Sequence, residues 1–179
     1  MVAVNIEGVE IVDLQVHEDP RGTFVEFFRQ SWIPSEHPAL QVNVSRSRAG
    51  VLRAMHLHRR QWDYWFVLSG EAFVALADLR DGSPTDRSVV TMRLSGEGPR
   101  GLFIPPGVAH GFFAETDLVL GYVVDRYFDG SDELVVAWDD PDLAIAWPTR
   151  EPILSERDRA NPSLREARRD PPRYEAPLG

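Results

Sequence analysis

The chain has 179 residues, a formal net charge of −9 and a pI near 5.0. That length fits one domain, and 43% hydrophobic residues with nine Phe and five Trp can fill a sizeable core. An acidic average field argues against nonspecific binding to nucleic acid or a membrane surface, and the lack of cysteine excludes disulfides and thiolate chemistry.

The N-terminal MVAVNIEGVEIVDLQ lacks a basic head, a long apolar core and a cleavage-like site. No apolar run approaches the roughly 20 residues that span a bilayer, so a cytoplasmic protein is expected. Short strand-forming runs then follow one another: Glu10–Val16, Thr23–Phe28, Gln41–Arg48, Val51–His58 and Tyr64–Leu68. Glu71–Leu79, Ser88–Leu94, Gly101–Ile104, Gly111–Ala114 and Leu118–Tyr127 continue the series. Turn residues separate them, at Asp19-Pro20-Arg21-Gly22, Asp81-Gly82-Ser83-Pro84, Pro105-Pro106-Gly107 and Asp129-Gly130. This spacing predicts an all-β antiparallel sandwich or barrel. Helix is expected only near the end, where Ser155 and Ser163 each precede an acid by three residues in the capping-box pattern. No repeat or linker divides the chain, so residues 1–179 read as one domain, with about 171–179 as a flexible tail.

The chemistry concentrates between Gly50 and Gly70. At period two His56 and His58 share a strand face, Asp63 begins the next run, and His110 follows the Pro-Gly turn. The pattern Gly50-x5-His56-x-His58-x4-Asp63-x6-Gly70 resembles the first cupin motif, with Asp where Glu is usual, and Pro105-x-Gly107-x2-His110 resembles the second. One reading is a divalent metal held by His56, His58, Asp63 and His110. The plainer one is a hydrogen-bonded hairpin without metal.

A second resemblance covers nearly the whole chain. RGTFVEFFRQSW, QVNVSRSRAGVLRAMHLHRRQ, SGEAFVALADLRDGSPT, LFIPPGVAHGFF, VDRYFDGSDE, AWDDPDLAIAWP and ILSERDRANPSL follow in order the pattern of the dTDP-4-dehydrorhamnose 3,5-epimerase family. The resemblance implies a cupin-type jelly roll with short C-terminal helices, assembled as a homodimer that shares strands. It also implies a nucleotide-sugar ligand, a 4-keto-6-deoxyhexose epimerised beside its ketone, and no cofactor or metal.

It further implies roles for single residues. His56 in RAMH matches the base, Asp158 in LSERD its orienting carboxylate, and Tyr127 in VDRYFDG the acid on the opposite face. Arg21, Phe24 and Glu26 match a nucleotide-contacting block, Gln41 and Asn43 a QxN block, and Arg53 and His110 diphosphate or sugar contacts. Guanidinium forks suit a diphosphate because they donate paired, charged hydrogen bonds. One position departs: Asp63 stands where the family pattern has a Lys near the substrate's C4 oxygen. A His58–Asp63 pair could restore the missing cation. Trp62, Tyr64 and Trp65 are expected to crowd the same pocket. Three classes stay open at this point: an epimerase, a metal-dependent cupin enzyme, and a non-catalytic nucleotide-sugar-binding homologue.

Overall fold

A computed structural model describes residues 4–128 and 130–175. The strands in chain order are β1 (Glu10–Asp13), β2 (Val16–Asp19), β3 (Gly22–Val25), β4 (Gln41–Ser47), β5 (Leu52–His58) and β6 (Asp63–Ser69). They continue with β7 (Glu71–Asp78), β8 (Val89–Ser95), β9 (Arg100–Ile104), β10 (Val108–Ala114), β11 (Leu118–Val124) and β12 (Glu133–Val135). Two single-turn helices close the chain, α1 (Glu156–Arg159) and α2 (Leu164–Ala167). Among the described residues no helix is long and apolar enough to cross a membrane.

Two antiparallel five-stranded sheets form the body, one ordered β1-β9-β6-β11-β4 and the other β12-β5-β10-β7-β8. Period-two alternation decides what each strand contributes. In β6, Trp65 and Val67 point between the sheets and pack with Leu76, Leu102 and Leu120, whereas Tyr64 and Phe66 point outward. That outer face is also buried, because Phe27, Phe28, Ile33 and Ala39 lie across it. Gly101 on β9 makes this possible: a Cβ there would stand 1.7 Å from the Tyr64 hydroxyl oxygen. The second sheet's outer face is covered by the C-terminal segment, where Leu143, Val136 and Leu164 pack on Leu57, Ala77 and Phe113. Burying a large apolar side chain fully is worth roughly 1.5–3 kcal/mol, so these three layers carry the stability. The end of the inter-sheet space that is lined by polar groups is left for function.

Each of the ten expected runs overlaps a strand, with three differences. β2 and β12 are additional: both are short, and neither has the apolar alternation that marks a strand. β11 stops at Val124, so Tyr127 lies beyond the sheet rather than at its end. Residues 171–175 are also tied down rather than free. Asp81 donates its N–H to Pro172 at 2.8 Å, Tyr174 donates to Asp81 at 3.0 Å, and the Arg80 guanidinium stacks 5.1 Å from the Tyr174 ring. Residues 176–179 of the expected tail, and Asp129 of the expected Asp129-Gly130 turn, lie outside the described residues.

Candidate active site

A cavity of about 360 Å³ opens between the two sheets at the polar end. The second sheet contributes Arg53, His56 and His58 from β5, His110 from β10 and Glu133 from β12. The first contributes Asp63 and Trp65 from β6, Tyr122 from β11, and Gln41 and Asn43 from β4. The four residues that sequence spacing places together, His56, His58, Asp63 and His110, therefore do face one space.

His56 is held on both sides. Its Nε2 lies 2.8 Å from Asp158 Oδ1 and its Nδ1 lies 2.9 Å from Glu133 Oε1. Burial opposes charge on the ring, but the two carboxylates outweigh it and raise the pKa to about 9. Glu133 is pulled down to about 2 despite burial, by His56 and by the Arg157 guanidinium that donates to its other oxygen. Asp158 is likewise lowered against burial by its bond to His56. Helix α1 aims Asp158. Ser155 caps the helix by accepting from the Asp158 N–H at 3.0 Å, and its hydroxyl donates to Asp158 Oδ2 at 2.9 Å, leaving Oδ1 for the imidazole. Asp158 thus meets the cap residue Ser155 and the imidazole at once.

Deeper in the cavity, His58 Nε2 stands 3.9 Å from Asp63 Oδ2, within ion-pair reach but too far for a hydrogen bond. Gln61 donates to the same carboxylate oxygen at 3.3 Å. Burial raises the Asp63 pKa to about 6, with His58 opposing the rise. His110 is buried against the edge of Trp65, ring centres 5.1 Å apart, and its Nδ1 lies 3.0 Å from the Val108 carbonyl. Burial, aided by the nearby His58 and His56, lowers its pKa to about 3, so the ring is neutral and its Nδ1–H donates to that carbonyl. Donor atoms of His58, Asp63 and His110 all lie within 4.8 Å of one another, the spacing of a three-ligand metal set. His56 does not join them, since both its nitrogens are engaged by carboxylates.

The other expected residues divide. Gln41, Asn43 and Arg53 line the cavity; Gln41 donates to Asn43 Oδ1 at 2.7 Å, and Arg53 donates to Ser47 at 3.1 Å. Arg21, Phe24 and Glu26 do not reach it: Arg21 pairs with Asp19 at 2.6 Å, Glu26 pairs with Arg29 at 2.5 Å, and Phe24 is 63% exposed on the β2–β3 hairpin. Tyr127 is 69% exposed and lines a separate, smaller pocket beside Arg60, Asp125 and Asp132. Its neighbour Phe128 takes the position at the cavity mouth. Of the expected aromatic crowd only Trp65 enters; Trp62 and Tyr64 belong to the outer core of the first sheet, as the alternation along β6 requires. Sequence reasoning missed Glu133, Arg157 and Tyr122. Tyr122 was within reach of the period-two rule, being two residues from Leu120 on one face of β11, but Glu133 depends on the unforeseen pairing of β12 with β5.

The comparisons with known proteins agree with this geometry. Residues 3–166 match the family model for dTDP-4-dehydrorhamnose 3,5-epimerase. The chain belongs to that family. An enzyme of that name from Methanothermobacter thermautotrophicus is 36% identical over 174 residues, covering 92% of this chain and 94% of the relative. A Legionella pneumophila dTDP-6-deoxy-D-glucose-3,5-epimerase, solved with dTDP-4-keto-L-rhamnose, superposes with a TM-score of 0.89 at 34% identity and covers 98% of both chains. A double mutant of a Streptomyces bikiniensis 3'-monoepimerase, solved with dTDP, gives a TM-score of 0.90 at 31% identity, over 97% of this chain and 93% of that one. The two facing sheets are accordingly the cupin jelly roll of dTDP-sugar epimerases, and the protein is an isomerase of that kind.

Proposed function

We propose that the protein epimerises a dTDP-4-keto-6-deoxyhexose at C3, C5 or both through an enolate, with His56 as the base. The observation that carries this reading is His56 at the cavity wall, with Asp158 fixed behind it and Glu133 at its cavity side. Asp158 holds Nε2 as the N–H tautomer, so the lone pair that accepts the sugar's proton is on Nδ1. Glu133 sits on that nitrogen and has to leave it when the sugar arrives, while Arg157 already holds its other oxygen. Proton loss beside the C4 ketone moves the electron pair onto the ketone oxygen, which is stabilised by donors and cations around it. His58, 3.9 Å from Asp63, is the basic side chain beside the position where the family pattern has a Lys. Arg53 and Arg157 give an acidic protein a local cationic cradle for the diphosphate.

The exposed hairpin fits a homodimer. Arg21, Phe24 and Glu26 stand clear of their own cavity, and the edge strand β4 exposes Val42 (65%) and Val44 (54%). A second copy that exchanges N-terminal strands covers this apolar edge and carries the hairpin residues to the neighbouring nucleotide. Incubation with dTDP-4-keto-6-deoxyglucose in D2O, followed by NMR, tests the activity: deuterium appears at carbons flanking the ketone together with an inverted centre. No incorporation would reject it in favour of a non-catalytic binder.

A further inference from the structure

Inversion needs a proton returned from the face opposite His56, and the fold limits which side chain can deliver it. His56 and His110 are directly opposed on β5 and β10, and Trp65 and Tyr122 are directly opposed on β6 and β11. Opposed residues of an antiparallel pair share one sheet face, and the His110–Trp65 ring contact at 5.1 Å bridges the two sheets. His56 and Tyr122 are therefore the strand neighbours, one in each sheet, of the two residues that meet across the cavity, and both line it. Facing sheets stand about 10 Å apart, room for a sugar ring between an imidazole on one wall and a phenol on the other. Tyr127 has no such placement, being exposed past the end of β11 on a different pocket.

We propose that Tyr122 is the proton donor to the far face of the epimerised carbon. The inference rests on the epimerase reading above and supplies the acid that reading lacks. In the first half-reaction the C–H bond beside the ketone breaks, His56 Nδ1 takes the proton, and the electron pair moves onto the C4 oxygen. In the second the enolate pair forms a new C–H bond with the Tyr122 hydroxyl proton, the ketone returns, and the phenolate oxygen keeps the O–H electrons. The imidazolium loses its proton and the phenolate regains one through solvent, which restores both groups. Burial, together with the nearby Asp63 carboxylate, raises the Tyr122 pKa, so the hydroxyl is protonated and ready when the enolate forms.

The experiment compares Tyr122→Phe, Tyr127→Phe and wild-type protein on dTDP-4-keto-6-deoxyglucose in D2O, reading deuterium content and stereochemistry separately by NMR. With Tyr122→Phe, deuterium enters the recovered substrate through the His56 half-reaction alone, and inversion falls by about 10²–10⁴-fold. Retained wash-in also shows that the variant is folded and binds the sugar. Tyr127→Phe inverts at the wild-type rate. The assignment is overturned if Tyr122→Phe inverts normally, if it loses wash-in and inversion together, or if Tyr127→Phe is the variant that stops inverting. Absence of wash-in from the wild type would instead sink the epimerase reading itself.

Discussion

His56 shows how much of a site is set by a single residue's partners. With a carboxylate on each ring nitrogen the imidazole holds its proton up to pH about 9, so the base becomes available only as pH rises. The raised pKa stabilises the fold fully below the unfolded value of 6.5, and that contribution is lost as pH climbs through 9. Glu133 has the opposite sign: its contribution is present above 4.5 and is lost as pH falls toward 2. Glu133→Gln removes one clamp, and the ascending limb of kcat/KM should move about 1–3 units down in pH. An unmoved limb would mean that Glu133 does not control the base. Asp63 carries a buried charge whose pKa is raised to about 6, so the stability linked to this group is greatest below 3.8 and falls as pH rises through 6. Asp63→Asn should therefore raise Tm at pH 8 by a few degrees while slowing epimerisation, as calorimetry and NMR kinetics read independently. An unchanged rate would remove the His58–Asp63 pair from the mechanism. His56 and His58 were legible because period-two spacing in one run puts them on one face, and Asp63 and His110 because of their places in the two cupin-like motifs. Glu133 was not, because nothing within SDELVV reveals that Val135 lies opposite His56.

At the scale of elements, short pieces do the positioning. Helix α1 is only four residues long, Glu156–Arg159, yet it fixes Asp158 through Ser155 on both the backbone and the side chain. Ser155→Ala should cost about 1 kcal/mol in thermal unfolding and lower kcat several-fold by loosening Asp158, whereas Ser155→Thr should keep both near normal. Equal losses in the two variants would show that the hydroxyl is not what matters. The capping patterns at Ser155 and Ser163 were readable in sequence because the cap is a local bargain between a side chain and an amide three residues on. The end of β11 was not. Its apolar alternation runs on toward Tyr127, but the strand breaks at Asp125, whose carboxylate accepts the Trp62 N–H at 3.0 Å. That break sends Tyr127 outward and leaves Phe128 at the cavity mouth.

The whole molecule sets the terms on which an acidic protein binds an anionic ligand. Arg53 and Arg157 concentrate positive charge inside one cavity of a chain whose net charge is −9. The exposed hairpin and the apolar edge of β4 predict that the protein sediments at micromolar concentration as twice its 20.2 kDa chain mass. A clean single-chain species would remove the homodimer and, with it, any role for Arg21, Phe24 and Glu26. The antiparallel all-β architecture was foreseeable because short strand-forming runs are punctuated by turn residues, whereas the jelly roll itself came from the family resemblance. The two outer layers were not foreseeable, since a run buried on both faces, such as Asp63–Val67, looks the same in sequence whichever face meets the cavity. Enolisation by His56 without a metal can be read from one deuterium measurement. Wild-type protein, the same protein after exhaustive chelation, and His56→Ala are each incubated with dTDP-4-keto-6-deoxyglucose in D2O. Equal wash-in is expected for the first two and none for His56→Ala. Wash-in that disappears on chelation and returns with a divalent cation, or that survives in His56→Ala, would contradict metal-free enolisation by His56.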